Sequence, residues 1–223
     1  MPLGCVVFPT EELLKLFLEN KQSIGIITTT STTCFNNISC GNNTATRQRE
    51  KSMQEYFPIV NEAGEVLGSA TRQACHDGSH LLHPVVHLHV FSPDGALYLQ
   101  RRAMHKDLLP GYWDTAVGGH VSYGESIAEA LQREVSEEIG IENYTPVHIE
   151  TYRYDSQRES EMVHVYRTIY PGPFHWNDGE VMDGRFWPIH ELRQAMGKGL
   201  LTPNLEMELL RFGIVSYPCH PNH

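Results

Sequence analysis

The 223-residue chain carries 17 basic against 27 acidic side chains, with 40% hydrophobic and 20% charged residues. That suffices for one domain with a real core plus an appendage, and is too short for two full domains. A formal charge of −10 argues against nonspecific binding to a nucleic-acid polymer or an anionic membrane, and no apolar run approaches the roughly 20 residues of a membrane span. Cys5, Cys34, Cys40, Cys75 and Cys219 are scattered without a C-x-x-C pair. The first twelve residues lack a basic region followed by an apolar core. These features read as a reducing, cytoplasmic protein without a disulfide framework or cysteine zinc site.

Along the chain, Thr10 is placed to cap a short amphipathic helix carrying Leu13, Leu14, Phe17 and Leu18. Between Thr28 and Thr46, 13 of 19 positions are Thr, Ser or Asn, too little apolar surface to offset chain entropy, so the composition predicts disorder. Residues 1–52 are therefore expected to be an extension, with one domain over 53–215 and Met53 a candidate functional start. Tyr56 to Val60, a turn at Asn61 to Gly64, and Val66 to Gly68 predict a hairpin. Val85 to Phe91 alternates and turns at Pro93-Asp94-Gly95 into a strand over Ala96 to Arg101. One strand is expected over Tyr112 to Val117 and a helix over Ser126 to Ile139, ended by Gly140. Strands follow at Val147 to Tyr154, Met162 to Tyr170 and Gly184 to Pro188, then a helix over Leu205 to Phe212. Strands on both sides of a helix imply an α/β arrangement around a mixed sheet.

The sharpest signal is Gly119 to Ile141, GHVSYGESIAEALQREVSEEIGI. On a helical wheel Ala128, Leu131, Val135 and Ile139 share an apolar stripe, and Glu134, Glu137 and Glu138 fall on the neighbouring arc. Three carboxylates at i, i+3 and i+4 repel one another; partly buried, they call for protonation or a divalent cation. Oxygen-only ligands suit Mg²⁺ or Mn²⁺, hard ions that also clamp diphosphates. Arg133 is placed to brace the cluster, and Glu125, near the positive end of the helix dipole, is its expected partner. A solvated acidic face is the plainer alternative for a bare E-x-x-E-E.

The full spacing is more specific. Gly119, Glu125, Arg133, Glu134, Val135, Glu137, Glu138, Gly140 and Ile141 fit every fixed position of G-x5-E-x7-R-E-U-x-E-E-x-G-U, with U apolar. The chain thus resembles the Nudix hydrolases over about residues 54–212. The resemblance implies a Nudix α/β/α sandwich and metal-dependent attack of water on a diphosphate linkage. It also implies Glu134, Glu137 and Glu138 as catalytic metal ligands, the Gly119 carbonyl as a further ligand, and Glu137 as candidate base.

The flanks resemble the branch related to isopentenyl-diphosphate isomerase: Leu99-Gln100-Arg101-Arg102, Lys106 to Asp114, and Glu180 to Asp183 before Phe186-Trp187. Arg101, Arg102 and Lys106 are candidate phosphate contacts; a solvated strand end is the alternative. Those isomerases bind a metal through histidines and glutamates that support proton transfer to an alkene. His76, His83, His120, Glu159 and Glu161 stand at compatible places here, a candidate second site for Mn²⁺ or Zn²⁺, although 13 histidines occur and several are expected to be incidental. The departure is at Gly118, where the isomerases carry their catalytic cysteine. Glycine cannot move a proton, so hydrolysis of a small diphosphate is favoured over isomerisation or ligand binding without turnover. The leaving group and any homo-oligomer remain open, since Tyr112, Trp113 and Phe186 serve a base, a lipid slot or the core equally well.

Overall fold

The computed structural model describes residues 54–216, apart from Asp107, Asn177, Asp178 and Glu180. The helix and the Thr/Ser/Asn-rich segment expected before residue 53 lie outside these residues. In chain order the elements are β1 (Tyr56–Val60), β2 (Val66–Thr71), α1 (Arg72–Cys75), β3 (Leu82–Phe91), β4 (Leu97–Arg102), β5 (Trp113–Asp114) and β6 (Val117–His120). They continue with α2 (Ile127–Glu138), β7 (Val147–Asp155), β8 (Ser160–Ile169), β9 (Val181–Trp187), α3 (Ile189–Ala195) and α4 (Pro203–Arg211).

The strand β3 organises the sheet. Along one edge it pairs in parallel with β8 over its full length, and β8 continues antiparallel to β7. Its other edge is shared. The C-terminal end pairs with β4 through Val90–Tyr98 and Phe91–Leu97, while the N-terminal half pairs with β6 from Val85–His120 to Leu88–Val117. Between these contacts β4 and β6 part, and β4 goes on to pair with β5 and β9. The sheet therefore forks, and the fork positions the site. The hairpin β1–β2 is a separate two-stranded sheet.

Two-residue alternation sorts the strands between two helical layers. Val86, Leu88, Val90, Tyr98 and Val117 pack against Ala130, Leu131, Val135 and Ile139 of α2 and its end. Leu97, Leu99 and Trp187 pack instead against Leu192, Leu205 and Leu209 of α3 and α4, and Val85, Val163 and Val165 approach Met207 and Phe212 on that same side. The expected α/β/α sandwich around a mixed sheet is the observed architecture.

Three local expectations change. The single strand over Tyr112 to Val117 is two short strands, because the chain leaves β4 at Asp114 and joins β3 at Val117 across the fork. Ala128 is exposed and Ala130 fully buried: Ala128 shares its wheel direction with the buried Val135 and Ile139 but sits in the first turn of α2, so its exposure comes from its place along the helix and not from the direction of the stripe. A short helix, α3, follows Pro188, where the sequence pattern predicts no element.

Candidate active site

The helix α2 is fixed at both ends. At its start Ser126 accepts from the Glu129 amide and Glu129 reaches back to the Ser126 amide, a capping box. At its end Gly140 has φ +65°, and a Cβ there would press on the His175 carbonyl, so this position needs glycine for both reasons.

Along the helix, Arg133 gathers the acidic cluster. Its Nε and one terminal nitrogen each donate to Glu125, both at 2.9 Å, and that terminal nitrogen also meets the His120 carbonyl at 3.0 Å. The other terminal nitrogen donates to Glu134 at 2.7 Å and Glu137 at 3.3 Å. Gly119 lies directly against the Glu134 side chain, where a Cβ would overlap its carboxyl group. Helix and glycine loop are thereby locked into one unit.

The three carboxylates differ in environment. Glu137 is exposed, Glu134 half-buried and Glu138 buried. Burial raises the Glu134 pKa against the lowering influence of Arg133. Burial pushes Glu138 up to about 8, with the neighbouring Glu134 charge adding to the rise. Gln100 donates to Glu138 at 2.7 Å, and the Gln100 Oε1 atom is buried without a hydrogen-bond partner. Gln100, Arg102, Lys106, Gly118, Glu138 and Val181 line one cleft at the fork. An anion-rich wall with an unsatisfied buried oxygen fits a divalent cation.

Of the candidate phosphate residues, Arg102 and Lys106 line this cleft. Arg102 also pairs with Asp114 at 3.0 Å. Arg101 turns instead to the loop, donating from Nε to the Gly111 carbonyl at 3.0 Å.

A second group lies on the α4 side of the sheet. His76, His83 and His120 bring one nitrogen each within 4.8 Å of one another, and His83, Glu159 and Glu161 form an overlapping set. The His76 Nε2 atom is 3.1 Å from His120 Nε2 and 2.9 Å from Glu159. His83 Nδ1 bonds the Leu81 carbonyl at 2.8 Å, leaving its buried Nε2 without a partner. Phe57 stacks on His120 at 4.4 Å between centroids. Burial holds the His120 pKa well down and that of His83 low, keeping both rings neutral, as ligation requires. Burial likewise lifts Glu161 to about 7. His76 shifts the other way, its pKa raised by the hydrogen bond to Glu159; a set of imidazoles beside carboxylates suits Mn²⁺ or Zn²⁺.

No motif assigns a role to Gln100, His87, His89 or Glu208, yet each makes a close polar contact in the fold. Glu208 is fully buried on α4, 2.8 Å from both His87 Nδ1 and His89 Nε2. Tyr152 donates to it at 2.6 Å. The available signal was a glutamate on the apolar face of the last helix, with two histidines on one face of β3.

Residues 81–205 match the NUDIX domain family model. The chain belongs to the Nudix family. It is 31% identical over 152 residues to isopentenyl-diphosphate Delta-isomerase of Enterobacter sp. (strain 638), covering 65% of this chain and 82% of that protein. The isopentenyl-diphosphate Delta-isomerase of Mycolicibacterium vanbaalenii is 30% identical over 148 residues, covering 63% and 81%. Among solved structures this Nudix chain resembles DR0079 from Deinococcus radiodurans, with TM-score 0.61 and 24% identity over 70% of this chain and 98% of that one. The MutT protein from Methanosarcina mazei Go1 follows the same fold at TM-score 0.52 and 20% identity, covering 59% and 93%. Among the described residues no helix is long and apolar enough to cross a membrane.

Proposed function

We propose that this Nudix protein is a divalent-metal-dependent hydrolase of a small diphosphate. The observation that carries this reading is the complete carboxylate helix at the cleft, with Glu138 buried beside Gln100 and the cationic Arg102 and Lys106 on the same walls. Glu134, Glu137 and Glu138, with the Gly119 carbonyl, would hold Mg²⁺ or Mn²⁺, which polarises phosphoryl oxygens and lowers the pKa of water.

The chain's own groups do the rest. Arg102 and Lys106 take the phosphate charge. Arg133 fixes the direction of Glu134 while Glu125 fixes Arg133. Glu137, the most exposed of the three carboxylates, is assigned as the base that accepts the proton of the attacking water.

Prenyl-diphosphate isomerisation is the second reading, and two observations favour it: the assembled His76–His83–His120–Glu159–Glu161 group, a candidate Mn²⁺ or Zn²⁺ site, and the curated relatives of that name. Gly118 weighs against it, for it offers no thiol where the isomerase resemblance expects one. Nor does Cys75 supply a substitute, being fully buried, with burial pushing its thiol up to about 11. Phosphate release from a diphosphate panel, measured with and without divalent metal and alongside isomerised product, tests the two readings together.

A further inference from the structure

We propose that His87 is a further substrate-binding residue of the cleft: Glu208 holds its Nδ1, and its Nε2 faces a phosphoryl oxygen of the diphosphate across Gly118. This inference rests on the diphosphate reading and adds a residue to it.

Three features of the geometry point to this. First, His87 sits directly opposite Gly118 in the β3–β6 ladder. A Cβ built on Gly118 would touch His87 Cδ2 at 3.5 Å, His87 Nε2 at 3.6 Å and the Thr115 methyl at 3.6 Å. These are ordinary contacts, so the space over Gly118 holds one atom in van der Waals reach of Nε2. Gly118 lines the cleft with Glu138, Arg102 and Lys106, and His87 stands behind it, outside the lining; with no side chain on Gly118, only that open space lies between Nε2 and a group bound at the glycine.

Second, the ring is oriented. The Glu208 carboxylate can only accept, so the 2.8 Å contact puts a proton on His87 Nδ1 and fixes the ring with Nε2 pointing away from α4. Glu208 is in turn held by Tyr152 at 2.6 Å, while His89 Nε2 lies 2.8 Å away without a well-formed hydrogen bond. A fully buried carboxylate on the apolar face of α4 is strongly unfavourable unless charge and hydrogen bonds compensate it. Sheet packing alone gives no reason for placing one there.

Third, the charge suits an anion. Burial works against the imidazolium, yet the Glu208 charge outweighs it and lifts His87 to about 9. Glu161 on β8 and Asp114 on β5 act in the same direction. With Nδ1 bound to Glu208, the second proton of the cation sits on Nε2 and is available to a phosphoryl oxygen.

The test uses the full chain with Mg²⁺ and inorganic pyrophosphate as the titrated probe, read by calorimetry. His87→Asn keeps a polar atom near the Nδ1 position for Glu208 but removes Nε2. Gly118→Ala leaves His87 and Glu208 untouched and fills the space between Nε2 and the cleft. Both variants are expected to weaken pyrophosphate binding about tenfold or more; Gly118→Ala should melt like the parent, whereas His87→Asn, which removes the charge facing the buried Glu208, should melt lower while keeping the parent's circular dichroism. Equal affinity in parent and both variants overturns the proposal. Loss in His87→Asn alone, with Gly118→Ala unchanged, also overturns it, because a packing role for His87 predicts that pattern. A parent chain that does not bind pyrophosphate removes the diphosphate reading itself, and His87 with it.

Discussion

Arg133 grips Glu125 through two parallel hydrogen bonds of 2.9 Å, eight residues apart along the chain. The pair closes the loop that carries Gly119 onto the helix that carries Glu134. Arg133 is charged throughout, held so by Glu125 despite partial burial. Its fork geometry cannot be reproduced by an ammonium group.

Arg133→Lys should therefore retain the charge and lose the alignment. We expect a rise in the metal concentration needed for half-maximal turnover, about tenfold or more, with a smaller change in melting temperature. A metal titration of activity checks this. An unchanged midpoint would mean that Glu134 needs no bracing.

Glu138→Gln should remove most turnover while the fold persists, since it deletes a charge and not core volume. Circular dichroism and phosphate release measured on one preparation decide the point. Retained activity would place the metal elsewhere.

The same residue predicts a pH effect with a definite sign. A carboxyl whose folded pKa is raised to about 8 from the usual 4.5 favours folding while protonated. That contribution is lost as pH rises from about 5 through about 8. Without divalent cation, Glu138→Gln should thus gain stability relative to the parent across this window. At a pKa unit worth about 1.4 kcal/mol, the gain is on the order of a few kcal/mol. Saturating Mg²⁺ should stabilise the parent and narrow the gap. Thermal melts at pH 5, 6.5 and 8 test it, and a gap independent of pH contradicts it.

Two adjacent glycines should respond oppositely to the same methyl group. At Gly119 a Cβ overlaps the Glu134 carboxyl group, whereas at Gly118 it meets only ordinary contacts. Gly119→Ala is expected to lower the melting temperature and abolish metal-dependent turnover; Gly118→Ala should melt like the parent. Identical melts for the two would show that Glu134 simply moves aside.

Much of this site was legible because spacing along one helix fixes direction in space. Glu134, Glu137 and Glu138 at i, i+3 and i+4 meet one flank of α2 whatever the rest of the chain does. The histidine group was legible only through resemblance, since His76 and Glu159 stand 83 positions apart in the chain and meet only in the fold. A wheel shows direction around the axis and not position along it, so it could not tell that Ala128, in line with the buried Val135 and Ile139, is exposed in the first turn of α2. Gln100–Glu138 and His87–Glu208 were not legible at all. They join residues 38 and 121 positions apart, and only the register of β3 with its neighbours and the docking of α4 bring them together.

His120→Ala separates the two candidate metal sites. If hydrolysis at the α2 carboxylates is the task, phosphate release should fall no more than a few-fold, while Mn²⁺ or Zn²⁺ retained after desalting should drop. Elemental analysis beside the activity assay reads both. Complete loss of turnover would make the histidine group the working metal site.

The most direct test of the central claim is turnover by the full chain of a panel containing nucleoside diphosphates, nucleotide sugars and isopentenyl diphosphate, with Mg²⁺ or Mn²⁺. Cleavage of the diphosphate linkage (inorganic phosphate from the terminal diphosphates, two phosphomonoesters from the nucleotide sugars) and isomerised product are resolved separately. The account predicts cleavage that stops when the metal is chelated and is lost in Glu138→Gln. Isomerised isopentenyl diphosphate without phosphate release would contradict it.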